Sequence, residues 1–125
     1  MSRGAWSRVL WAECFGRGKS EPGLFARMKT GLGQGVNLDI KALERQLHRE
    51  GFPHTCVWQD GPEAFYPDHT HDVETAHIIL DGEMTLTLSS TTKTYTAGER
   101  CDVPAGSVHS ARMGSRGCRY LIGER

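Results

Sequence analysis

The 125-residue chain lacks a long apolar run and carries no net charge. No segment approaches the roughly 18 consecutive apolar residues of a transmembrane helix, so we expect no membrane span. Its 15 basic and 15 acidic residues cancel, which argues against nucleic acid or an anionic membrane surface as the main partner. A chain of this length forms one domain around a single core.

Closely spaced cysteines are also missing: the four cysteines are far apart and form no CxxC pair. Such spacing fits neither a dense disulfide framework nor a zinc finger. We therefore expect free thiols in a cytoplasmic protein. Two of the four, Cys101 and Cys118, are expected to be small buried hydrophobic residues.

The first 35 residues differ in composition from the rest of the chain. They contain six basic but only two acidic residues, and seven of the 15 glycines. Their few apolar residues follow no sustained period, so this segment has little means of offsetting the entropy cost of being ordered. We predict a flexible, basic, glycine-rich extension over residues 1–35 and a folded domain over residues 36–125.

One amphipathic helix is predicted at the start of the domain. Ile40, Leu43 and Leu47 recur at helical spacing, and Gly51 is a suitable left-handed stop. The sequence therefore predicts a helix over residues 38–50.

Short β-prone segments alternate with turns through the rest of the chain. Asp81-Gly82 indicates a hairpin between strands at 75–80 and 83–89, and Met84 and Leu86 share one face of the second strand. A turn at residues 114–117 is expected to join strands at 108–113 and 119–122. Regular short strands favour an antiparallel sandwich or barrel, over about residues 52–123.

Histidines cluster in two segments of this predicted barrel. His69 and His71 lie two residues apart on one strand, so their side chains share a face and can bind one ion. His109 follows Pro104-Ala105-Gly106, a turn that starts the next strand at a defined place. We predict a divalent-metal site made by His69, His71 and His109.

These segments resemble the two sequence motifs of the cupin superfamily. G-x5-P-x-G-x2-H-x3-N is matched by Gly98, Pro104, Gly106 and His109, with Met113 in place of asparagine. The other motif, G-x5-H-x-H-x3,4-E-x6-G, is matched by its two histidines, His69 and His71, and by Gly82. The resemblance to a small single-domain cupin implies an all-β, antiparallel double-sheet jelly-roll barrel with a metal in its opening. The predicted helix would pack outside this barrel.

The fourth position of the site departs from the cupin motif. Thr75 stands where the motif has glutamate, and Glu74 comes one residue earlier. Neighbouring strand residues face opposite ways, so Glu74 points into the site only if a β-bulge turns it. His77 shares the face of Thr75. The fourth ligand is therefore Glu74, His77 or no side chain, and Glu74 is also the candidate general base.

Charged residues near the histidines have two interpretations. Asp68 and Asp72 flank the His-x-His segment, where either can orient an imidazole or remain solvated. Arg112 and Arg119 are expected to face outward from their strands.

An all-histidine site favours one divalent transition metal per chain, such as zinc, iron, nickel, copper or manganese, over calcium. The first hypothesis is a metal-dependent enzyme of the oxygenase, isomerase or lyase type acting on a small molecule. The alternative is a sensor or binding protein that holds metal or a small ligand without turnover, because no separate acid–base residue is evident. The fold cannot choose between them. Exposed strand edges favour a homodimer.

Overall fold

The computed structural model describes residues 38–125, and the predicted extension over residues 1–35 lies outside this range. The described elements are one helix, α1 (Ile40–Arg49), and six strands: β1 (His54–Asp60), β2 (Phe65–His69), β3 (Thr75–Leu88), β4 (Thr91–Thr96), β5 (Arg100–Val103) and β6 (His109–Glu124). Within these residues, no helix has the length and apolar character needed to cross a membrane.

Two long strands, β3 and β6, form the centre of the structure and pair with each other along most of their length. The first half of β6 pairs with β2, and its second half pairs with β1. The first half of β3 pairs with β5, and its second half with β4. All of these pairs are antiparallel, and the two halves give the two layers of a jelly-roll barrel. The predicted all-β fold is confirmed.

The strand β3 bends at Gly82 and continues, so the predicted hairpin at Asp81-Gly82 is wrong. The register with β6 shifts on both sides of Gly82, which is the signature of β-bulges. Gly82 has φ +84°, and an added Cβ would clash with the carbonyl oxygen of Gly117. Glycine is needed here because the chain turns sharply against the backbone of the neighbouring strand.

The strand β6 is continuous as well, and the predicted turn at residues 114–117 is a bend within it. Gly117 has φ +81°, and a Cβ there would approach the carbonyl oxygen of Asp60 to 2.5 Å. Because β3 and β6 remain paired through the bend, both strands carry the chain from one layer into the other.

The main core lies between the two layers. Met84 and Leu86 face it, as their alternation predicts, with 2% and 5% of their surfaces exposed. Cys101 and Cys118 are buried, free and packed in the same core, which confirms their predicted role. Cys56 is disulfide-bonded, so the expectation of free thiols is wrong at that position.

The helix α1 packs on the outer face of the barrel, as predicted. Asp39 caps it, with its carboxylate accepting a hydrogen bond from the Ala42 amide at 3.2 Å. Leu47 and Phe52 are fully buried in a second apolar cluster that includes residues of β3 and β6. Gly123 allows this close packing, because an added Cβ would meet the Leu47 and Phe52 side chains at 3.2–3.3 Å.

The two arginines of β6 lie in different environments. Arg112 is exposed, and its guanidinium group lies 4.5 Å from the centre of the Phe65 ring. Arg119 is only 5% exposed, so the expectation that it faces outward into solvent is wrong. It pairs with Asp81 in the β3–β6 register, where the negative charge of Asp81 partly offsets the effect of burial on its pKa.

Candidate metal centre

Three histidines meet where β2 ends and β6 begins. His69 and His109 are cross-strand partners, and their ring centres lie 4.2 Å apart. His71 follows β2, with ring centres 4.9 Å from His69 and 4.8 Å from His109. One nitrogen from each ring can be chosen so that all three lie within 4.8 Å of one another. This separation suits three ligands around one ion, given metal–nitrogen distances of about 2 Å.

Backbone carbonyl groups orient two of the three rings. The Nδ1 atom of His69 lies 2.6 Å from the Pro67 oxygen, and that of His109 lies 3.0 Å from the Ser107 oxygen. A carbonyl only accepts, so Nδ1 is the protonated nitrogen, and Nε2 of each neutral ring carries the lone pair that binds metals. Backbone carbonyls of Pro67 and Ser107 accept these two hydrogen bonds, and the carboxylates of Asp68 and Asp72 accept neither of them.

The turn before β6 holds the two histidine segments together. The Gly106 amide donates to the His71 carbonyl at 2.9 Å, and the Ser107 amide donates to the Pro104 carbonyl at 3.2 Å. Gly106 has φ +81°, which glycine adopts without strain. This geometry gives a physical reason for the Pro104-Ala105-Gly106 segment, because it places His109 beside His71.

Burial keeps the three imidazoles neutral at pH 7. His71 and His109 are each 3% exposed, and His69 is partly exposed towards the barrel opening. Burial, followed by the neighbouring His109 and His69, lowers the pKa of His71 to about 3. Burial also lowers the pKa of His69 and of His109. Neutral imidazole is the form that coordinates metal ions.

A small cavity adjoins the three histidines inside the barrel. Its volume is about 20 Å³, enough for one or two water molecules. Beside the three histidines, its polar wall consists of Tyr66, His77 and Tyr120, and its apolar wall of Met84, Leu86, Ala111 and Met113. Among residues 38–125, no carboxylate lines it.

Glu74 lies on the other side of the chain from this cavity. Its backbone amide and carbonyl exchange hydrogen bonds with Arg125, both at 3.1 Å. Its carboxylate accepts a hydrogen bond from the Arg125 guanidinium at 2.9 Å. The next residue, Thr75, is fully buried. Strand alternation therefore places Thr75 inside and Glu74 outside.

His77 is 7% exposed and lines the cavity, but it does not belong to the cluster of three ligand nitrogens. Its ring centre lies 5.7 Å from that of Tyr120. Burial, followed by the charge of His109, lowers its pKa to about 4. His77 is thus a neutral ring in the cavity wall.

Asp60 is a buried carboxylate that the sequence did not identify. One oxygen accepts hydrogen bonds from Trp58 Nε1 at 3.1 Å and from the Tyr66 hydroxyl at 2.7 Å. The other accepts from the Tyr120 hydroxyl at 2.9 Å. Burial, together with these contacts to Asp60, raises the pKa of both tyrosines, so both remain protonated. The sequence Asp60-Gly61-Pro62 indicates a turn, but nothing in it indicates that Asp60 accepts hydrogen bonds from residues of β2 and β6.

Solved structures of other proteins share this architecture. DMSP lyase DddQ from Ruegeria pomeroyi matches 57% of the chain at 25% identity, with a TM-score of 0.53 over 36% of its own length. A cupin superfamily protein from Desulfitobacterium hafniense matches 56% of the chain at 17% identity, with a TM-score of 0.51 over 64% of its length.

A variant of oxalate decarboxylase from Bacillus subtilis also matches 56% of the chain, at 17% identity and a TM-score of 0.51 over 20% of its length. The matched region thus spans less than two thirds of each of these three chains. No family model matches the sequence, and no curated protein matches it. The shared strand arrangement, together with the barrel described above, shows that the chain has a cupin fold.

Proposed function

We propose that the chain binds one divalent transition metal through His69, His71 and His109 and is a metal-dependent enzyme acting on a small molecule. The observation that carries this proposal is the convergence of three neutral imidazoles on one point at the barrel opening. The choice among oxygenase, isomerase and lyase chemistry stays open, and the similarity to a DMSP lyase and to oxalate decarboxylase supports the lyase type.

The donor set favours zinc, iron, nickel or copper, with manganese a further candidate. Once bound, such an ion would supply Lewis-acid chemistry. His69 and His109 would hold the ion through rings fixed by the Pro67 and Ser107 carbonyls. The apolar wall, which includes Met84 and Leu86, excludes bulk water from the inner side of the site.

A second candidate function is metal or small-ligand binding without turnover. It is favoured by the small size of the cavity and because none of the described residues that line it is a carboxylate. In that case the protein would act as a sensor or binding barrel. Assembly as a homodimer in the cytoplasm remains a prediction under either function.

Metal analysis of the purified protein tests the site. We expect about one transition-metal ion per chain in the wild type by elemental analysis, and little in His71→Ala, because two imidazoles bind an ion far less tightly than three. His48→Ala is the matched control, since His48 is exposed on α1 and hydrogen-bonds to Thr55 at 3.3 Å. Full metal content in His71→Ala would contradict the assignment.

Turnover separates the two functions. The metal-loaded protein should convert at least one member of a panel of small carboxylates and sulfonium compounds, and His71→Ala should not. A metal-loaded wild type that binds members of the panel but converts none supports the binding function instead.

A further inference from the structure

The polar wall of the cavity contains six side chains, and contacts already described account for five of them. Three are the histidines of the proposed metal centre. The hydroxyl groups of Tyr66 and Tyr120 both donate hydrogen bonds to Asp60. Among the described residues that line the cavity, His77 is therefore the polar side chain that belongs to neither group.

His77 is buried, and one nitrogen of its ring is unsatisfied. Only 7% of its surface is exposed, and Nδ1 has no hydrogen-bond partner within residues 38–125. Buried polar atoms in native proteins are almost always hydrogen-bonded, either to a protein group or to an ordered water molecule. We therefore expect the His77 ring to contact a polar molecule inside the cavity that it lines.

The strand order places His77 across the cavity from the metal centre. His77 lies on the first half of β3, and its neighbours Ala76 and Ile78 belong to the second apolar cluster on the helix side. Because side chains alternate along a strand, the His77 ring points inward. His69 and His109 lie on β2 and the first half of β6, which pair with each other in the opposite layer. The cavity thus lies between the His77 ring and the three histidines.

The dimensions of the site fit a bridging water molecule. The cavity, of about 20 Å³, has room for one or two waters. The nitrogens of His77 lie outside the group of ligand atoms that are within 4.8 Å of one another, so His77 is not placed as a direct fourth ligand. A coordinated water lies about 2 Å from an ion and about 2.8 Å from its hydrogen-bond partner, so it connects an ion to a nitrogen about 5 Å away.

We propose that His77 is a positioning residue that holds one water molecule at the inner face of the three-histidine centre, where this water is the fourth ligand of the ion. The proposal deepens the proposed function and rests on it for the contact between water and ion. A neutral imidazole accepts a hydrogen bond at one nitrogen, and a water molecule donates it. The apolar wall offers no competing hydrogen bond. A small molecule that enters from the barrel opening would then meet an ion whose inner position carries an oriented water.

Protein–water NMR on zinc-reconstituted protein tests the water site. Nuclear Overhauser effects from water to the methyl groups of Met84, Ala111 and Met113 report a water held in the cavity, since all three residues line it. We expect these signals, and one from water to the His77 ring, in the wild type. His77→Phe keeps an aromatic ring without nitrogen, so the methyl signals should disappear. Its zinc affinity should fall about tenfold or more, the loss typical when a partner of a metal ligand is removed.

Two further variants make the test specific to the hydrogen bond. His77→Gln keeps a side-chain hydrogen-bonding group, so it should recover the water signals and part of the zinc affinity. Met113→Leu is the matched control, because it changes the apolar wall of the same cavity without removing a hydrogen bond. Its zinc affinity should equal that of the wild type. The water signals of the wild type test the proposal even where His77→Phe does not fold.

Three results would overturn the water site. The first is a wild type without water signals in the cavity, and the second is an unchanged zinc affinity in a folded His77→Phe. The third is a zinc-induced shift of the His77 ring nitrogens as large as that of His69 and His109, which would show direct coordination.

Zinc content measured in the same samples keeps the two proposals separate. One zinc ion per chain without the water signals overturns the water site alone. Water signals at the His77 ring in a wild type that binds no zinc overturn the metal function and retain the water bound to His77.

Discussion

At the scale of single residues, Asp60 connects three side chains of the barrel wall. Its two oxygens accept hydrogen bonds from Trp58, Tyr66 and Tyr120, which lie on three different strands. Each donor is at least partly buried and has its proton directed at the carboxylate. The position of the Tyr66 and Tyr120 rings in the cavity wall therefore depends on this one residue.

Replacing Asp60 with alanine should destabilise the protein by about 2–4 kcal/mol, because three donors lose a charged acceptor and two of them line the cavity. Tyr66→Phe, which removes one of the bonds, should cost about 1–2 kcal/mol. Urea unfolding followed by circular dichroism measures both changes. Asp102→Ala is the control, since Asp102 forms a partly exposed surface pair with Arg100, whose loss should cost less than about 1 kcal/mol. Equal losses in the two aspartate variants would contradict the role assigned to Asp60.

At the scale of elements, the long strands β3 and β6 decide the shape of the barrel, because both bend without ending. Gly82 and Gly117 lie against each other at the bend, where no side chain fits. The bend sends the second half of each strand into the opposite layer. As a result, His109 at the start of β6 lies opposite His69 of β2.

A pair of glycine substitutions separates two energetic costs of an alanine at the bend. One is the unfavourable backbone angle, and the other is the clash with the neighbouring strand. Gly82 and Gly98 have similar angles, φ +84° and +91°, but only Gly82 has backbone atoms within 3 Å of the added Cβ. Gly98→Ala should cost about 1–2 kcal/mol for the unfavourable backbone angle alone. Gly82→Ala should cost at least ~2 kcal/mol more, because the neighbouring strand must move. Thermal and urea unfolding give the values, and similar losses in the two variants would show that the bend tolerates a side chain.

At the scale of the whole molecule, Glu124 makes the stability of the metal-free protein depend on pH. Burial raises the pKa of its carboxyl group. The folded state therefore binds this proton more tightly than the unfolded state does, and its contribution to stability decreases as pH rises through the carboxyl range. Thr75 and His77 face Glu124 on the inner side, and His54 is its partner on β1.

Glu124→Gln should consequently be more stable than the wild type at pH 7.5, and the difference should narrow towards pH 4.5, near the ordinary carboxyl pKa of about 4.3. Buried histidines such as His77 act in the opposite direction, since their lowered pKa reduces stability below about pH 6.5. That contribution is common to both proteins and cancels in the difference. Urea midpoints of both proteins at pH 7.5, 5.5 and 4.5 measure the difference in stability between them. A difference that is independent of pH would contradict a raised pKa at Glu124.

Local patterns in the sequence determined several features of this protein. The 3.6-residue spacing of Ile40, Leu43 and Leu47 predicted α1, and two-residue alternation predicted the inward faces of Met84 and Leu86. Such periodicities are properties of one helix or strand, so they can be recognised in the sequence without knowledge of long-range contacts. The two histidine segments were recognisable for the same reason, as was the resemblance to cupins.

Only the tertiary structure decided which strands are continuous and which polar groups meet. Asp81-Gly82 has the residues of a hairpin turn, but the pairing of β3 with β6 on both sides of Gly82 makes it a bend. Asp60, Glu124 and Thr75 carry no local signal of their partners, because those partners lie on strands distant in sequence. Strand pairing aligns residues up to 70 positions apart, as the partners His54 and Glu124 show. Periodicity along one strand contains no information about that register, so the sequence identified the three histidines while the fold decided what surrounds them.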